Sequence, residues 1–99
     1  MTREEAIKIL QDALPGLRER YGVKDLAVFG SVVRNEAGPD SDIDILVDFE
    51  PGRAGGYFKF FSLQEELASR LSRRVDLVTP GALKKQLRDR ILAEAIHAS

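Results

Sequence analysis

Cysteine is absent from this sequence of 99 residues, and histidine occurs once, as His97. Without cysteine there is no disulfide framework and no thiolate metal site, which favours a reducing compartment. No apolar run approaches the length of a membrane span, and residues 1–8 are polar where a signal peptide would be apolar. We therefore expect a cytoplasmic protein that does not contact a membrane.

A strong charge of either sign is also missing, since 15 basic residues stand against 16 acidic ones and the formal net charge is -1. Net charge therefore gives no reason to expect direct binding to a nucleic acid. With 99 residues, 43% of them hydrophobic, the chain is sized for one domain, residues 1–99, without a separate lobe for a substrate. If the protein is an enzyme, we expect another molecule to supply part of the substrate.

Several common binding and catalytic motifs are absent as well. No glycine-rich run ends in Gly-Lys-Ser/Thr and no Gly-x-Gly-x-x-Gly occurs, so neither a P-loop nor a dinucleotide-binding fold is predicted. Three aspartates, Asp40, Asp42 and Asp44, match the first acidic positions of a calcium-binding loop. However, Ile45 and Pro51 stand where that loop needs glycine and glutamate, which excludes an EF-hand.

Hydrophobic periodicity and helix-stop signals predict seven elements in the order α-β-α-β-α-β-α. They are a helix over 2–21, a strand over 25–29, a helix of two turns over 31–37, a strand over 42–48, a helix over 57–72, a strand over 75–78 and a last helix carrying Leu83, Leu87, Ile91 and Ala95. Thr2 and Glu5 have the spacing of a capping box, whereas Pro15 could kink or end the first helix early. His97 is expected to be a frayed surface residue and not a catalytic base.

Two further segments have both a plain and a functional interpretation. The flexible loop over 51–56 is predicted to be a solvated connection, although it could close over a bound nucleotide. A set of basic residues is predicted to form a solvated face, although it could meet an acidic partner or RNA. That set comprises Arg70, Arg73, Arg74, Lys84, Lys85, Arg88 and Arg90.

A Gly-Ser turn at Gly30 and Ser31 follows the first predicted strand. Gly30 can adopt a backbone conformation that other residues resist, and it allows a phosphate to approach the main chain closely. Ser31 is a favourable N-cap residue, and the amides of Val32, Val33 and Arg34 at the start of the predicted helix are expected to face an anion. The turn is therefore a candidate phosphate-binding site.

Two carboxylates, Asp42 and Asp44, begin the strand that follows this turn. Alternation along a strand places both on one face, about 6.5 Å apart, with Ile43, Ile45 and Val47 on the other face. Both can therefore reach one cation or share a pair of cations. Mg²⁺ suits such a site, because it binds a few carboxylate oxygens together with waters and substrate phosphates.

Asp76 interrupts the otherwise apolar strand over 75–78, where a lone buried carboxylate would be costly. If this strand lies beside the preceding one, Asp76 joins Asp42 and Asp44 in a cluster of three carboxylates. Such a cluster can hold two cations about 3.5 to 4 Å apart, an arrangement that aligns the attacking and leaving oxygens in phosphoryl or nucleotidyl transfer. One cation would be held by the triphosphate, and the other would lower the pKa of the attacking hydroxyl.

Gly30-Ser31, ten intervening residues, Asp42-Ile43-Asp44 and Asp76 on a later strand together resemble the signature of the polymerase-beta-type nucleotidyltransferase superfamily. More narrowly, the chain resembles the minimal nucleotidyltransferase (MNT) family. The features in common are the short length, the Gly-Ser-Val-Val-Arg stretch and the sequence Ser41-Asp42-Ile43-Asp44. The resemblance covers nearly the whole chain.

This resemblance implies an α+β nucleotidyltransferase fold with a small mixed β-sheet packed with helices. It also implies Mg²⁺-dependent transfer of a nucleoside monophosphate, usually AMP from ATP, to a hydroxyl. The implied site comprises four nucleotide-binding residues, Gly30, Ser31, Arg34 and Ser41, and three catalytic, metal-ligating carboxylates, Asp42, Asp44 and Asp76. Arg34 would either neutralise phosphate charge or brace the acidic loop, and the resemblance leaves both roles open.

The resemblance also implies a partner. MNT proteins are typically encoded beside a HEPN-domain protein and act with it as antitoxin and toxin. The chain would then neutralise a HEPN ribonuclease, either by adenylylating a tyrosine on it or by binding it without catalysis. The intact set of three aspartates favours the first alternative, and the small size favours the second. Transfer to a small hydroxylated molecule such as an aminoglycoside is less favoured, because no additional domain is present to hold the acceptor.

Overall fold

A four-stranded mixed sheet and three α-helices form the fold in the computed structural model, which describes residues 1–53 and 55–99. In chain order the elements are α1 (Arg3–Tyr21), β1 (Val23–Phe29), a 3-10 turn (Gly30–Val32), β2 (Ile43–Phe49), α2 (Tyr57–Leu71), β3 (Val75–Val78), a second 3-10 turn (Pro80–Ala82), α3 (Lys85–Glu94) and β4 (Ile96–His97). The strand order is β3-β2-β1-β4, with β2 and β3 parallel and β1 antiparallel to both β2 and β4. The predicted α+β class with a small mixed sheet is confirmed.

α1 is one uninterrupted helix packed on the sheet. The Thr2 hydroxyl accepts a hydrogen bond from the Glu5 amide, and the Glu5 carboxylate accepts one from the Thr2 amide, so the predicted capping box is present. The helix continues through Pro15, and Leu14 and Leu17 on either side of it are buried in the core. It ends at Gly22, which takes a left-handed conformation (φ 71°).

The two faces of the sheet differ in what covers them. The α1/α2 face packs beneath α1 and α2 and carries the β2 side chains Ile43, Ile45 and Val47, each 0% exposed. The α3 face carries the alternate residues of the same strand, and a smaller apolar cluster there packs against α3. That cluster consists of Ala27, Phe29, Leu46 and Ile91. The main core therefore lies on the α1/α2 face.

The predicted two-turn helix over 31–37 is wrong. The chain forms only the 3-10 turn Gly30–Val32, and Asn35 then takes a left-handed conformation (φ 58°) that a helix cannot contain. Val32 and Val33 are β-branched and lose side-chain freedom in a helix, and both are buried against the core. Packing of the two valines therefore outweighs the local helix signal.

The carboxyl-terminal part differs from the prediction in two ways. α3 begins at Lys85, because Pro80–Ala82 forms a 3-10 turn and Leu83 follows it in an extended conformation (φ -97°, ψ 143°). His97 is not frayed, since it lies in β4, paired with β1, and its Nδ1 contacts Asp25 Oδ2. A strand of two residues has no periodicity of its own, so local sequence does not predict it.

Smaller differences concern the strand ends. β1 begins at Val23, two residues before the predicted start, and β2 begins just after Asp42. The predicted loop over 51–56 includes Ala54, which lies outside the described residues. None of the helices in the described part of the chain combines the length and apolar character that crossing a membrane requires.

Candidate active site

Gly30 brings the end of β1 against the start of β2. It has a left-handed backbone (φ 75°), and a Cβ atom on it would overlap the carboxylate of Asp44. Phe29, the residue before it, is the partner of Asp44 in the antiparallel pair. Glycine is therefore required for the Gly30-Ser31 turn to lie directly beside Asp44. The close backbone approach that glycine allows is made here by a carboxylate.

The amides of Val33 and Arg34 do not face an anion, contrary to the expectation from the sequence. They donate to the Gly30 carbonyl oxygen at 3.1 and 3.3 Å, and the Glu36 amide donates to the Ser31 carbonyl oxygen at 2.8 Å. The Val33 bond has the spacing of a 3-10 turn, from an amide to the carbonyl three residues before it, and the Arg34 and Glu36 bonds span four and five residues. These donors are therefore used within the turn itself.

Asp44 and Asp76 lie side by side on parallel strands. They are partners in the β2–β3 register, and alternation puts them on the α3 face with Leu46 and Val78. Burial raises the pKa of Asp44, and the nearby carboxylates of Asp76 and Asp42 raise it further. The predicted adjacency of the two strands is confirmed, and it concentrates negative charge at Asp44.

Asp42 makes an ion pair with an arginine. It precedes β2 by one residue, and its Oδ1 lies 3.1 Å from Arg74 Nε. Among residues 1–53 and 55–99, no three acidic, histidine or cysteine side chains are arranged to hold a metal ion. Asp44 and Asp76 fit a divalent cation by donor chemistry and placement, since hard cations take carboxylate oxygens. The catalytic and metal-binding roles of the three aspartates remain predictions.

The loop that leads to Asp42 is held by hydrogen bonds that sequence reasoning missed. Arg73 Nη2 donates to the carbonyl oxygens of Gly38 and Ser41, at 2.7 and 2.9 Å. The Ser41 hydroxyl accepts a hydrogen bond from the Gly38 amide at 3.0 Å. The solvated-face interpretation is therefore wrong for Arg73, which fixes the loop. A nucleotide-binding role for Ser41 remains a prediction.

Arg34 is held between two glutamates. Its Nε lies 3.1 Å from Glu36 Oε2, and its Nη1 lies 2.5 Å from Glu94 Oε1. The second Glu94 oxygen, Oε2, accepts a hydrogen bond from the Gly30 amide at 3.1 Å. Arg34 therefore braces the turn, and its phosphate-binding role remains a prediction. Glu94 was not predicted, because it lies 64 residues from Gly30 and no local pattern marks it.

A cleft of about 260 Å³ opens beside the turn, between β1 and α3. Its walls combine apolar side chains with two guanidinium groups and one carboxylate. The lining residues are Phe29, Gly30, Arg34, Leu87, Arg90, Ile91 and Glu94. Apolar walls with a few placed charged groups are typical of sites for small ligands.

Known proteins match this arrangement along almost the whole chain. The model of the nucleotidyltransferase domain family matches residues 10–97. The protein adenylyltransferase MntA of Thermococcus cleftensis is 45% identical over 97 residues, which cover 98% of this chain and 96% of that protein.

Solved structures of nucleotidyltransferases are also similar to this chain along most of its length. A minimal nucleotidyltransferase is 40% identical and has a TM-score of 0.77, with 97% of this chain and 95% of that chain covered. A variant of the MntA toxin–antitoxin complex is 25% identical and has a TM-score of 0.61, with 98% of this chain and 70% of that chain covered. On these matches and on its site, the chain belongs to the nucleotidyltransferase domain family and is a nucleotidyltransferase.

Proposed function

We propose that this nucleotidyltransferase is a Mg²⁺-dependent protein adenylyltransferase that transfers AMP from ATP to a tyrosine hydroxyl of a HEPN-domain toxin. It would act in the cytoplasm as the antitoxin of a pair whose toxin is encoded adjacently. Two similarities support the proposal: one relative is named a protein adenylyltransferase, and one solved relative is part of a toxin–antitoxin complex. The observation that carries it is the pairing of Asp44 with Asp76 beside the Gly30-Ser31 turn.

The proposed chemistry divides between the turn and the carboxylates. Gly30 and Ser31 would hold the triphosphate of ATP, and Asp44 and Asp76, joined by Asp42 once it separates from Arg74, would hold Mg²⁺, with two ions expected. When bound, Mg²⁺ neutralises phosphate charge and lowers the pKa of the acceptor hydroxyl. The tyrosine oxygen bonds to the α-phosphorus, the bond to the β-phosphate breaks and pyrophosphate leaves. Asp76 favours loss of the hydroxyl proton, which passes to solvent.

A second candidate function, neutralisation by binding without transfer, is supported by one feature of the site. Asp42 is paired with Arg74 at 3.1 Å, so in this arrangement it does not join Asp44 and Asp76. A chain that only blocks its partner would not need the three aspartates to come together. The two functions differ in whether the toxin gains mass.

The test is intact-mass spectrometry of the adjacently encoded HEPN protein after incubation with this protein, ATP and Mg²⁺. Wild type is compared with Asp42→Asn/Asp44→Asn and with Asp48→Asn. Asp48 is the matched control because it is an exposed carboxylate on the same strand whose register partner is Asp25 of β1. We expect a gain of one or more AMP units with wild type and with the control, and no gain with the double variant.

The opposite result is equally informative. No mass gain with wild type, together with a stable complex on a sizing column, would contradict transfer and support neutralisation by binding. Survival of cells that express the toxin gives a second readout. Loss of protection by Asp42→Asn/Asp44→Asn with binding retained supports the enzyme, whereas unchanged protection supports the second candidate.

A further inference from the structure

Glu94, the last residue of α3, links the carboxyl-terminal part of the chain to the Gly30-Ser31 turn. Its Oε2 accepts a hydrogen bond from the Gly30 amide at 3.1 Å, and its Oε1 lies 2.5 Å from Arg34 Nη1. The Glu94 side chain is 25% exposed, whereas Glu36, the other partner of Arg34, is 62% exposed. One carboxylate therefore contacts both the turn and the arginine that are expected to meet a triphosphate.

The elements on both sides of Glu94 hold it in place. Before it, Ile91 of α3 packs in the same apolar cluster as Phe29 of β1. After it, β4 pairs with β1, with Ile96 opposite Val28. Since Gly30 follows β1 directly, the strand that leads into the turn also anchors the segment that carries Glu94.

The charge of Glu94 is favoured by these contacts. Burial alone raises the pKa of its carboxyl group, but hydrogen bonds from Arg34 and from the Gly30 amide outweigh burial and lower the pKa. Arg34 uses Nε and Nη1 for its two glutamates, and its Nη2 donates to no residue in the described part of the chain. That nitrogen is therefore left for a ligand, while the rest of the guanidinium is fixed.

We infer that Glu94 is a positioning residue for nucleotide binding, which fixes the Gly30-Ser31 turn and Arg34 so that both can meet the triphosphate. Glu94 itself does not touch the substrate, and the inference rests on the proposed function. Gly30 has more backbone freedom than other residues, and Arg34 has a long flexible side chain. Ordering both groups before the nucleotide arrives lowers the entropic cost of binding.

The opposite role would make Glu94 an internal anion that occupies the phosphate position and has to leave. The two roles predict opposite changes in nucleotide affinity when Glu94 is replaced. Removing an anion that competes with phosphate raises nucleotide affinity, whereas removing a positioning residue lowers it. The sign of the change in affinity therefore decides between them.

The test measures binding of a non-hydrolysable ATP analogue with Mg²⁺ by isothermal titration calorimetry. Wild type is compared with Glu94→Gln, Glu94→Ala and Glu36→Gln. Glutamine keeps the size of Glu94 and still accepts the Gly30 hydrogen bond, but it removes the charge. Glu36→Gln is the matched control, because it removes the other charge from Arg34 without a contact to Gly30.

We expect the dissociation constant to rise about tenfold in Glu94→Gln, further in Glu94→Ala, and less than about twofold in Glu36→Gln. The KM for ATP should rise in the same order, with kcat within about threefold of wild type. Thermal melting by circular dichroism checks that each variant is folded at the assay temperature.

Unchanged or increased affinity in both Glu94 variants, with wild type binding the analogue, would overturn the inference and leave the proposed function intact. A Glu94→Gln variant with a lower melting temperature and wild-type nucleotide affinity would likewise overturn the inference, because it would show that Glu94 stabilises the fold only. A wild-type protein that binds no nucleotide would overturn the proposed function and this inference with it.

Discussion

On the α1/α2 face of the sheet, Ile43, Ile45 and Val47 are fully buried beneath two long helices, whereas on the α3 face the half-buried Asp44 pairs with the exposed Asp76. The same strand thus supplies apolar side chains to the core and acids to the candidate site. Alternation along the strand fixes both sets at once. The side chains that stabilise the fold and those of the candidate site therefore lie on opposite faces of the sheet, although they come from the same strand. Substitutions can test each face separately.

Asparagine at Asp44 tests the α3 face and is expected to have the largest effect. Burial raises the pKa of Asp44, and Asp76 and Asp42 raise it further, so the ionised form is disfavoured in the folded protein. Asp44→Asn removes that cost, and its melting temperature at pH 7 should be higher than that of wild type. AMP transfer should fall about 10²-fold or more, as when a group that positions the reactants is lost. Calorimetry and the mass assay measure the two effects.

The pH dependence sharpens this prediction. A carboxyl whose folded pKa is raised above its unfolded value, 3.8 for Asp44, binds its proton more readily in the folded state. Wild type therefore gains stability relative to Asp44→Asn as the pH falls through the raised pKa towards 3.8. The gap between the two melting temperatures should shrink on acidification. A variant less stable than wild type at pH 7 would contradict the separation of the two faces.

A pair of leucine-to-alanine variants compares the faces by stability. Leu67 of α2 is 0% exposed on the α1/α2 face, and Leu87 of α3 is 47% exposed beside the α3 face. Leu67→Ala should lower the free energy of unfolding by about 2–5 kcal/mol, because it leaves a cavity in a closed core. Leu87→Ala should change it by about 0.5 kcal/mol or less. Urea denaturation measures both, and similar losses in the two variants would contradict the comparison.

The parts that the sequence predicted well are those with a local pattern. The long helices and the three longer strands follow from hydrophobic periodicity. Asp42 and Asp44 are conspicuous in the sequence because they begin an apolar strand, and Asp76 because it interrupts one. The placement of Asp44 and Asp76 side by side on one face of the sheet follows from alternation together with the parallel neighbour β3. Their chemical roles remain predictions.

The parts that could not be predicted depend on contacts between distant residues. Val32 and Val33 are buried in the core, which prevents the helix that their neighbours favour. β4 exists only through its pairing with β1, and Glu94 acquires its position from that pairing and from α3. Arg73 acts on carbonyl oxygens more than thirty residues earlier, at Gly38 and Ser41. No single segment carries any of these contacts.

An ion pair joins α1 and α2 at the edge of the α1/α2 face, and its removal is expected to have the smallest effect on stability. Arg20 of α1 donates from both terminal nitrogens to the carboxylate of Glu66 on α2, each at 2.5 Å, and Arg70 Nε donates to it at 3.2 Å. The hydrogen bond from Arg20 is the main cause of a lowered pKa of Glu66, from 4.5 to about 2. The pair therefore ties the two covering helices together by charge, at a surface where solvent weakens the interaction.

Replacing Glu66 by glutamine should lower stability slightly at pH 7. It should also make stability fall less steeply as the pH is lowered into the acid range. Since the folded pKa lies below the unfolded one, the contribution of Glu66 is complete above pH 4.5 and is lost as the pH falls to about 2. The difference in melting temperature between wild type and Glu66→Gln should therefore shrink over that range, and 1 M salt should reduce it at any pH. Glu65→Gln, at an exposed position on the same helix, is the control. A difference that persists unchanged at pH 2 would mean that Glu66 stabilises the helix pair by packing and not by charge.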